Sequence, residues 1–106
     1  MKNTEIFNNN GTTTIKFHGS IIAAWKGDIV GFNSQRFRTV TTKRRMNQVQ
    51  NMFCVRQRKS VWYITNIMPD DFSDWKEYPF QDGICFNIKT GKPLPANTWV
   101  EVFGKE

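Results

Sequence analysis

Three consecutive cations, Lys43, Arg44 and Arg45, run directly into a stretch that carries the carboxamides Asn47, Gln48 and Asn51. Those residue types at that spacing suit the recognition of nucleic acid. Lysine and arginine neutralise phosphates, and asparagine, glutamine and arginine can form paired hydrogen bonds with adenine and guanine edges in a major groove. Arg36 and Arg38 precede the group, and Arg56, Arg58 and Lys59 follow it. No acidic residue lies between Ile29 and Pro69, whereas Asp70, Asp71, Asp74, Glu77 and Asp82 reverse the sign immediately afterwards. The formal charge of +6 is thus concentrated in one block, and residues so close along a chain cannot all be scattered to opposite sides. A polyanionic or acidic partner is the expectation. Basic faces are often only solvated surface. Here the acid that usually stands four residues ahead of a helical Lys or Arg is missing throughout, which favours a dedicated partner.

Other chemistry has little support. His18 is the only histidine and has no second ligand at metal spacing. Cys54 and Cys85 are too far apart for a zinc knuckle or a redox pair and read as reduced, small hydrophobes. Asp70, Asp71 and Asp74 lack the glycine and terminal glutamate of a calcium loop. No phosphate-cradling glycine motif, nucleophile elbow or paired carboxylates are present, so neither catalysis, a metal nor a cofactor is expected. No apolar run approaches the roughly 20 residues that span a bilayer, so no membrane association is expected. Trp62 and Tyr63 follow the second basic group; cations interleaved with aromatics can clamp a nucleic-acid strand, although Trp62 and Ile64 alternate as a core face would.

The elements that must position these residues follow from periodicity. With 106 residues, nine Phe, four Trp and two Tyr, the chain suits one aromatic-rich domain dominated by sheet. Asn8-Asn9-Asn10-Gly11 reads as the end of a flexible tail over 1–11, leaving one domain over 12–106. Ile15 and Phe17 alternate with polar residues in a first strand, Ser20 to Trp25 forms a second, and Lys26-Gly27-Asp28 turns into a third at Ile29 to Phe32. A short strand is expected over Arg36 to Val40. Thr41-Thr42 offers an N-cap hydroxyl to Lys43 to Phe53, where Met46, Val49 and Phe53 share one helical side while Arg44, Asn47, Gln48 and Asn51 share the other. Val55 to Arg58 and Val61 to Thr65 read as a hairpin, Trp75 to Phe80 as an edge strand limited by Pro79, Ile84 to Ile88 as a strand, and Trp99 to Phe103 as a last strand. The expected fold is α+β: a largely antiparallel sheet with one amphipathic helix, about 42–53, packed on it.

On those helix bounds the first turn carries Lys43, Arg44 and Arg45, where the helix dipole is already positive. Each exposed charge there costs on the order of 0.3 to 1 kcal/mol. The conflict disappears if the free amides and the basic side chains meet phosphates together.

The segment Arg38-Thr39-Val40-Thr41-Thr42-Lys43-Arg44-Arg45-Met46-Asn47-Gln48 resembles the central motif of small tailed-bacteriophage proteins. Thr14 to Phe17, Gly27 to Val30, Val61 to Tyr63 and Tyr78 to Gly83 are similar to flanking segments of the same proteins. The resemblance implies a phage origin and the cytoplasm of an infected bacterial host, and it implies no mechanism. Two main readings follow. In one, a phage accessory protein binds nucleic acid through Arg36, Arg38, Lys43, Arg44, Arg45, Asn47, Gln48, Asn51, Arg56, Arg58 and Lys59. In the other, the same patch or the acidic 70–82 segment docks on a host protein or nucleoprotein complex, as an inhibitor of a bacterial defence system such as an anti-CRISPR protein would. A third places the chain in the virion with its sheet edges in oligomer contacts; the sequence leaves oligomeric state open.

Overall fold

Two-residue turns organise the first third of the chain. The computed structural model describes residues 4–35, 39–50, 52–67 and 75–104. Strand β1 (Thr4–Asn9) meets β2 (Thr12–Phe17) through Asn10-Gly11, and β2 meets β3 (Ser20–Lys26) through His18-Gly19. Both central residues of each turn have positive φ, at 52° and 80° in the first and 53° and 81° in the second. That geometry matches the right-handed twist of the paired strands and selects Asn and Gly. Gly27, at a φ of 58°, opens the turn into β4 (Ile29–Phe32).

The meander is completed by β8 (Ile84–Asn87) into a five-stranded antiparallel sheet ordered β1-β2-β3-β4-β8. A second, three-stranded sheet contains β5 (Phe53–Arg58), β6 (Val61–Asn66) and β7 (Lys76–Pro79), also antiparallel. Helix α1 (Val40–Gln48) joins the two. Between the sheets lie Ile15, Phe17, Ile22, Val30, Phe32 and Phe86 from one side, and Phe53, Val55, Trp62, Ile64 and Phe80 from the other, with Met46 contributed by the helix. Phe53 stacks on Phe86 at a centroid distance of 4.5 Å and meets Phe32 edge-on at 6.1 Å, so one ring ties both layers together. The α+β class and the antiparallel pairing agree with the sequence.

Four boundaries differ. Residues 4–9 are a paired edge strand and not a tail: the Asn-Gly signal marks a hairpin turn, and β2 supplies the partner that a tail would lack. The sheet divides in two, because α1 carries the chain from one layer to the other. The expected helix over 42–53 begins at Val40 and ends at Gln48; Thr39 is its N-cap, with the hydroxyl accepting from the Thr42 N–H at 3.2 Å, and Phe53 already belongs to β5. Residues 36–38 of the short strand expected before it lie outside the described residues, and Thr39 and Val40 open the helix.

The fourth is the last strand, which is a second helix, α2 (Thr98–Val102). Trp99 and Phe103, four residues apart, share a face that covers Ala24 and Cys85 on the far side of the five-stranded sheet. A Cβ at Gly31 would lie 2.7 Å from the Trp99 ring, so the missing side chain makes the hollow that the indole fills.

Candidate nucleic-acid interface

Helix α1 runs antiparallel to the outer edge of β5, and Lys43, Asn47 and, just past the helix end, Gln50 meet that strand in step. Lys43 Nζ donates to Gln57 Oε1 at 2.7 Å. Asn47 Nδ2 donates to the Val55 carbonyl at 3.0 Å while its Oδ1 accepts from the Val55 N–H at 2.8 Å. Gln50 Nε2 donates to the Phe53 carbonyl at 2.7 Å, and its Oε1 accepts from the N–H groups of Met52 and Phe53 at 2.9 and 2.8 Å. The spacings match physically: four helical residues rise about 6 Å, and two strand residues advance about 6.6 to 6.8 Å. Two carboxamides thus act as a neighbouring strand would, closing alternate peptide groups of an otherwise open sheet edge.

Gln50 also donates to the carbonyl of Met46 at 3.0 Å. Its own backbone N–H would have filled that acceptor had the helix continued, so the same side chain ends the helix and starts the strand.

Of the helix amides that the sequence suggested as base readers, Asn47 is engaged within the fold. Asn47 holds β5, Gln48 Oε1 accepts from Arg45 Nη1 at 3.0 Å, and Asn51 lies outside the described residues, as do Arg36 and Arg38. The dipole conflict also goes: with Val40 as the first helical residue, Lys43 and Arg44 stand in the second turn and Arg45 in the last, where positive charge is favourable. Residues two apart on a helix differ by about 160° in direction, so Arg45 leaves the flank on which Lys43 faces β5. Its buried Nε has no hydrogen-bond partner. Arg44 is exposed.

The antiparallel course brings the start of α1 beside the β5–β6 turn, which holds the second basic group. Lys43 Nζ lies 5.7 Å from the centroid of Trp62, whose ring is buried in the core as the alternation with Ile64 required. Arg56, Arg58 and Tyr63 occupy the opposite, outward face of the three-stranded sheet, with Arg56, Tyr63 and Pro79 in one row across β5, β6 and β7. The Arg58 guanidinium lies 4.6 Å over the Tyr63 ring and pairs with Glu77 of β7. Lys59 and Ser60 form the turn itself with φ of 50° and 68°, values that neither side chain favours.

Among the described residues, no carboxylate lies within ion-pair distance of Lys43, Arg44, Arg45, Arg56 or Lys59; the ion pairs are Arg58 with Glu77 and Lys89 with Asp28. Among the described residues Glu77 is the downstream acid paired with this basic group, through Arg58, and Asp70, Asp71 and Asp74 lie outside the described residues. Glu77, Gln50 and Gln57 are partners that the sequence reading missed. The i, i+4, i+7 spacing of Lys43, Asn47 and Gln50 against the i, i+2, i+4 spacing of Phe53, Val55 and Gln57 is the signal that could have found two of them.

Elsewhere, a cleft of about 240 Å³ is lined by Tyr78, Pro79, Ile84, Pro93, Leu94 and Pro95 with Asp82 at its wall. The Asp82 carboxylate accepts from the backbone N–H and the hydroxyl of Ser34, which engages it structurally. His18 is exposed in its turn, with its ring centroid 4.3 Å from that of Phe17. Among the described residues no group of three His, Cys, Asp or Glu could hold a metal ion, and no helix is long and apolar enough to cross a membrane.

Comparison with known proteins gives a family match. A family model described as Kyanoviridae Gp96 protein covers residues 1–87. No curated protein and no solved structure matches the chain.

Proposed function

The chain belongs to the Kyanoviridae Gp96 family of phage proteins, and we propose that it works without catalysis in the infected host's cytoplasm, gripping nucleic acid or a similar polyanion where α1 begins beside the β5–β6 turn. One observation carries this reading: Lys43, held beside Gln57, lies at the end of β5 that also carries Arg58 and the Lys59 turn, and Lys43, Arg44, Arg56 and Lys59 have no carboxylate within ion-pair distance among the described residues. Unbalanced cations repel one another in the free protein, and a polyanion relieves that repulsion. Lys43 is held by Gln57 and by the Trp62 ring, so one cation of the group is fixed by the fold before any partner arrives.

Binding of this kind depends on phosphate charge, with dissociation constants of about 10⁻⁴ to 10⁻⁶ M at physiological salt and a steep loss as salt rises. Fluorescence anisotropy with labelled single-stranded and duplex oligonucleotides at two salt concentrations tests it. Tightening at low salt is the expected result, and unchanged anisotropy at low salt overturns the proposal. A host protein retained from nuclease-treated lysate, in place of oligonucleotide binding, would transfer the patch to the other reading, an inhibitor of a bacterial defence system.

A further inference from the structure

We infer that the outer face of the three-stranded sheet is a platform for single-stranded nucleic acid, with Tyr63 stacking a base and Arg56, Arg58 and Lys59 holding the phosphates, and that Glu77 stands in for a phosphate in the free protein. The inference rests on the proposed polyanion binding and names its substrate class.

Duplex reading needs an element that enters a groove and offers free base-edge partners. Helix α1 lies flat along the β5 edge, and the amides of its Asn47 and of Gln50 just past its end are engaged with the backbone of Val55 and Phe53. What the basic end exposes is a sheet face. Tyr63 sits on the central strand, half-buried, between Arg56 on β5 and Pro79 on β7. The outward side of its ring is covered by a charged side chain. That cover is the guanidinium of Arg58, 4.6 Å from the ring centroid.

A guanidinium over an aromatic ring occupies the place of a stacked base, and a carboxylate on that guanidinium occupies the place of a phosphate oxygen. The free protein thus makes with its own residues the pair of contacts that a nucleotide would make. Arg58 and Glu77 are both partly exposed, with 64% and 36% of their side-chain surface accessible, so the pair contributes little to stability and yields to a stronger anion. The match is one of charge as well: this face carries Arg56 and Arg58 against the single acid Glu77 among its described residues, and the adjoining turn adds Lys59. Stacking and phosphate charge tolerate any base, so the binding proposed here is largely independent of sequence.

Anisotropy titrations with labelled oligothymidylate, oligouridylate and a duplex, each about 15 units long to exceed the usual span of such platforms, test the inference. Single strands are expected to bind more tightly than the duplex. Tyr63→Ala is expected to lower single-strand affinity at least about fivefold, and Tyr63→Phe, which keeps the stacking face, to retain it. Glu77→Gln is expected to raise affinity by up to about fivefold by releasing Arg58. Thermal melts of each variant show that the fold is kept, and Tyr63→Phe with Glu77→Gln still decides the matter if Tyr63→Ala does not fold. Oligothymidylate and oligouridylate separate DNA from RNA, and a preference for either supports the platform. Duplex binding equal to or tighter than single-strand binding, or an affinity unmoved or lowered by Glu77→Gln, overturns the inference and leaves the polyanion reading standing. Absence of binding to all three probes overturns both.

Discussion

Asn47 closes both hydrogen bonds of Val55 with one carboxamide, donating to its carbonyl at 3.0 Å and accepting from its N–H at 2.8 Å. A residue whose type and position invited a base-reading role is in this way part of the scaffold. Replacing it by alanine leaves a partly buried donor and acceptor without partners, a loss of about 1 to 3 kcal/mol. Urea denaturation of Asn47→Ala should show that destabilisation, and oligonucleotide affinity of the variant that remains folded should be unchanged.

Arg44 and Arg45 are neighbours with different duties. Arg44 is exposed in the middle of α1, and Arg44→Glu should weaken oligonucleotide binding and flatten its salt dependence while stability changes by less than about 0.5 kcal/mol. Arg45 lies in the last turn and donates to Gln48, so Arg45→Glu places an acid at the negative end of the helix and should cost about 0.3 to 1 kcal/mol or more. Thermal melts and salt-dependent titrations of the two single variants separate these effects.

The turn at Lys59-Ser60 has positive φ at both positions without a glycine, while Asn10-Gly11 makes the same kind of turn with residues that suit it. Ser60→Gly relieves a left-handed conformation worth about 1 to 2 kcal/mol, against a smaller entropic penalty for glycine, and should raise stability by roughly 0.5 to 1 kcal/mol. Nucleic-acid affinity should be kept, because Lys59 remains. A melting temperature that falls in Ser60→Gly would refute the assignment of strain to this turn.

Cys85 is 1% exposed, and burial pushes its thiol from 9.0 up to about 12. The folded state keeps the proton that the unfolded chain loses first, so the unfolded state binds fewer protons between those two values and stability must fall as pH rises through that window. Below pH 9 this contribution is fully present. Unfolding free energy measured from pH 8 to 11 should decline less steeply in Cys85→Ala than in the parent. A thiol reagent should modify half-buried Cys54 in the native protein and reach Cys85 only after unfolding.

Much of the fold was legible because its signals are local. Ile15 and Phe17 in β2, Ile29 to Phe32 as β4, and the Arg58 to Val61 hairpin each follow from alternation and turn residues within a few positions. Asn8 to Gly11 showed the turn and hid the strand before it, because Thr4 to Asn9 is exposed on nearly every residue and gains its structure from pairing with β2 alone. Trp99 to Phe103 has the β-branched and aromatic content of a strand. It forms a helix because Ala24, Gly31 and Cys85 leave a hollow on the sheet that two rings at i and i+4 can fill. Propensity loses to shape there.

The sequence by itself determined that positive charge is concentrated and that Trp62 and Ile64 face inward, since charge and periodicity need no knowledge of distant residues. Only the tertiary structure decided which polar side chains of that block remain available to a partner. Asn47 and Gln50 are removed from the surface set by Val55 and Phe53, and Arg58 is drawn over Tyr63 to Glu77, 19 residues along the chain. Hydrogen-bond partners are chosen by proximity in space, and a helix laid against a strand edge brings together groups whose separation in sequence gives no warning of the contact.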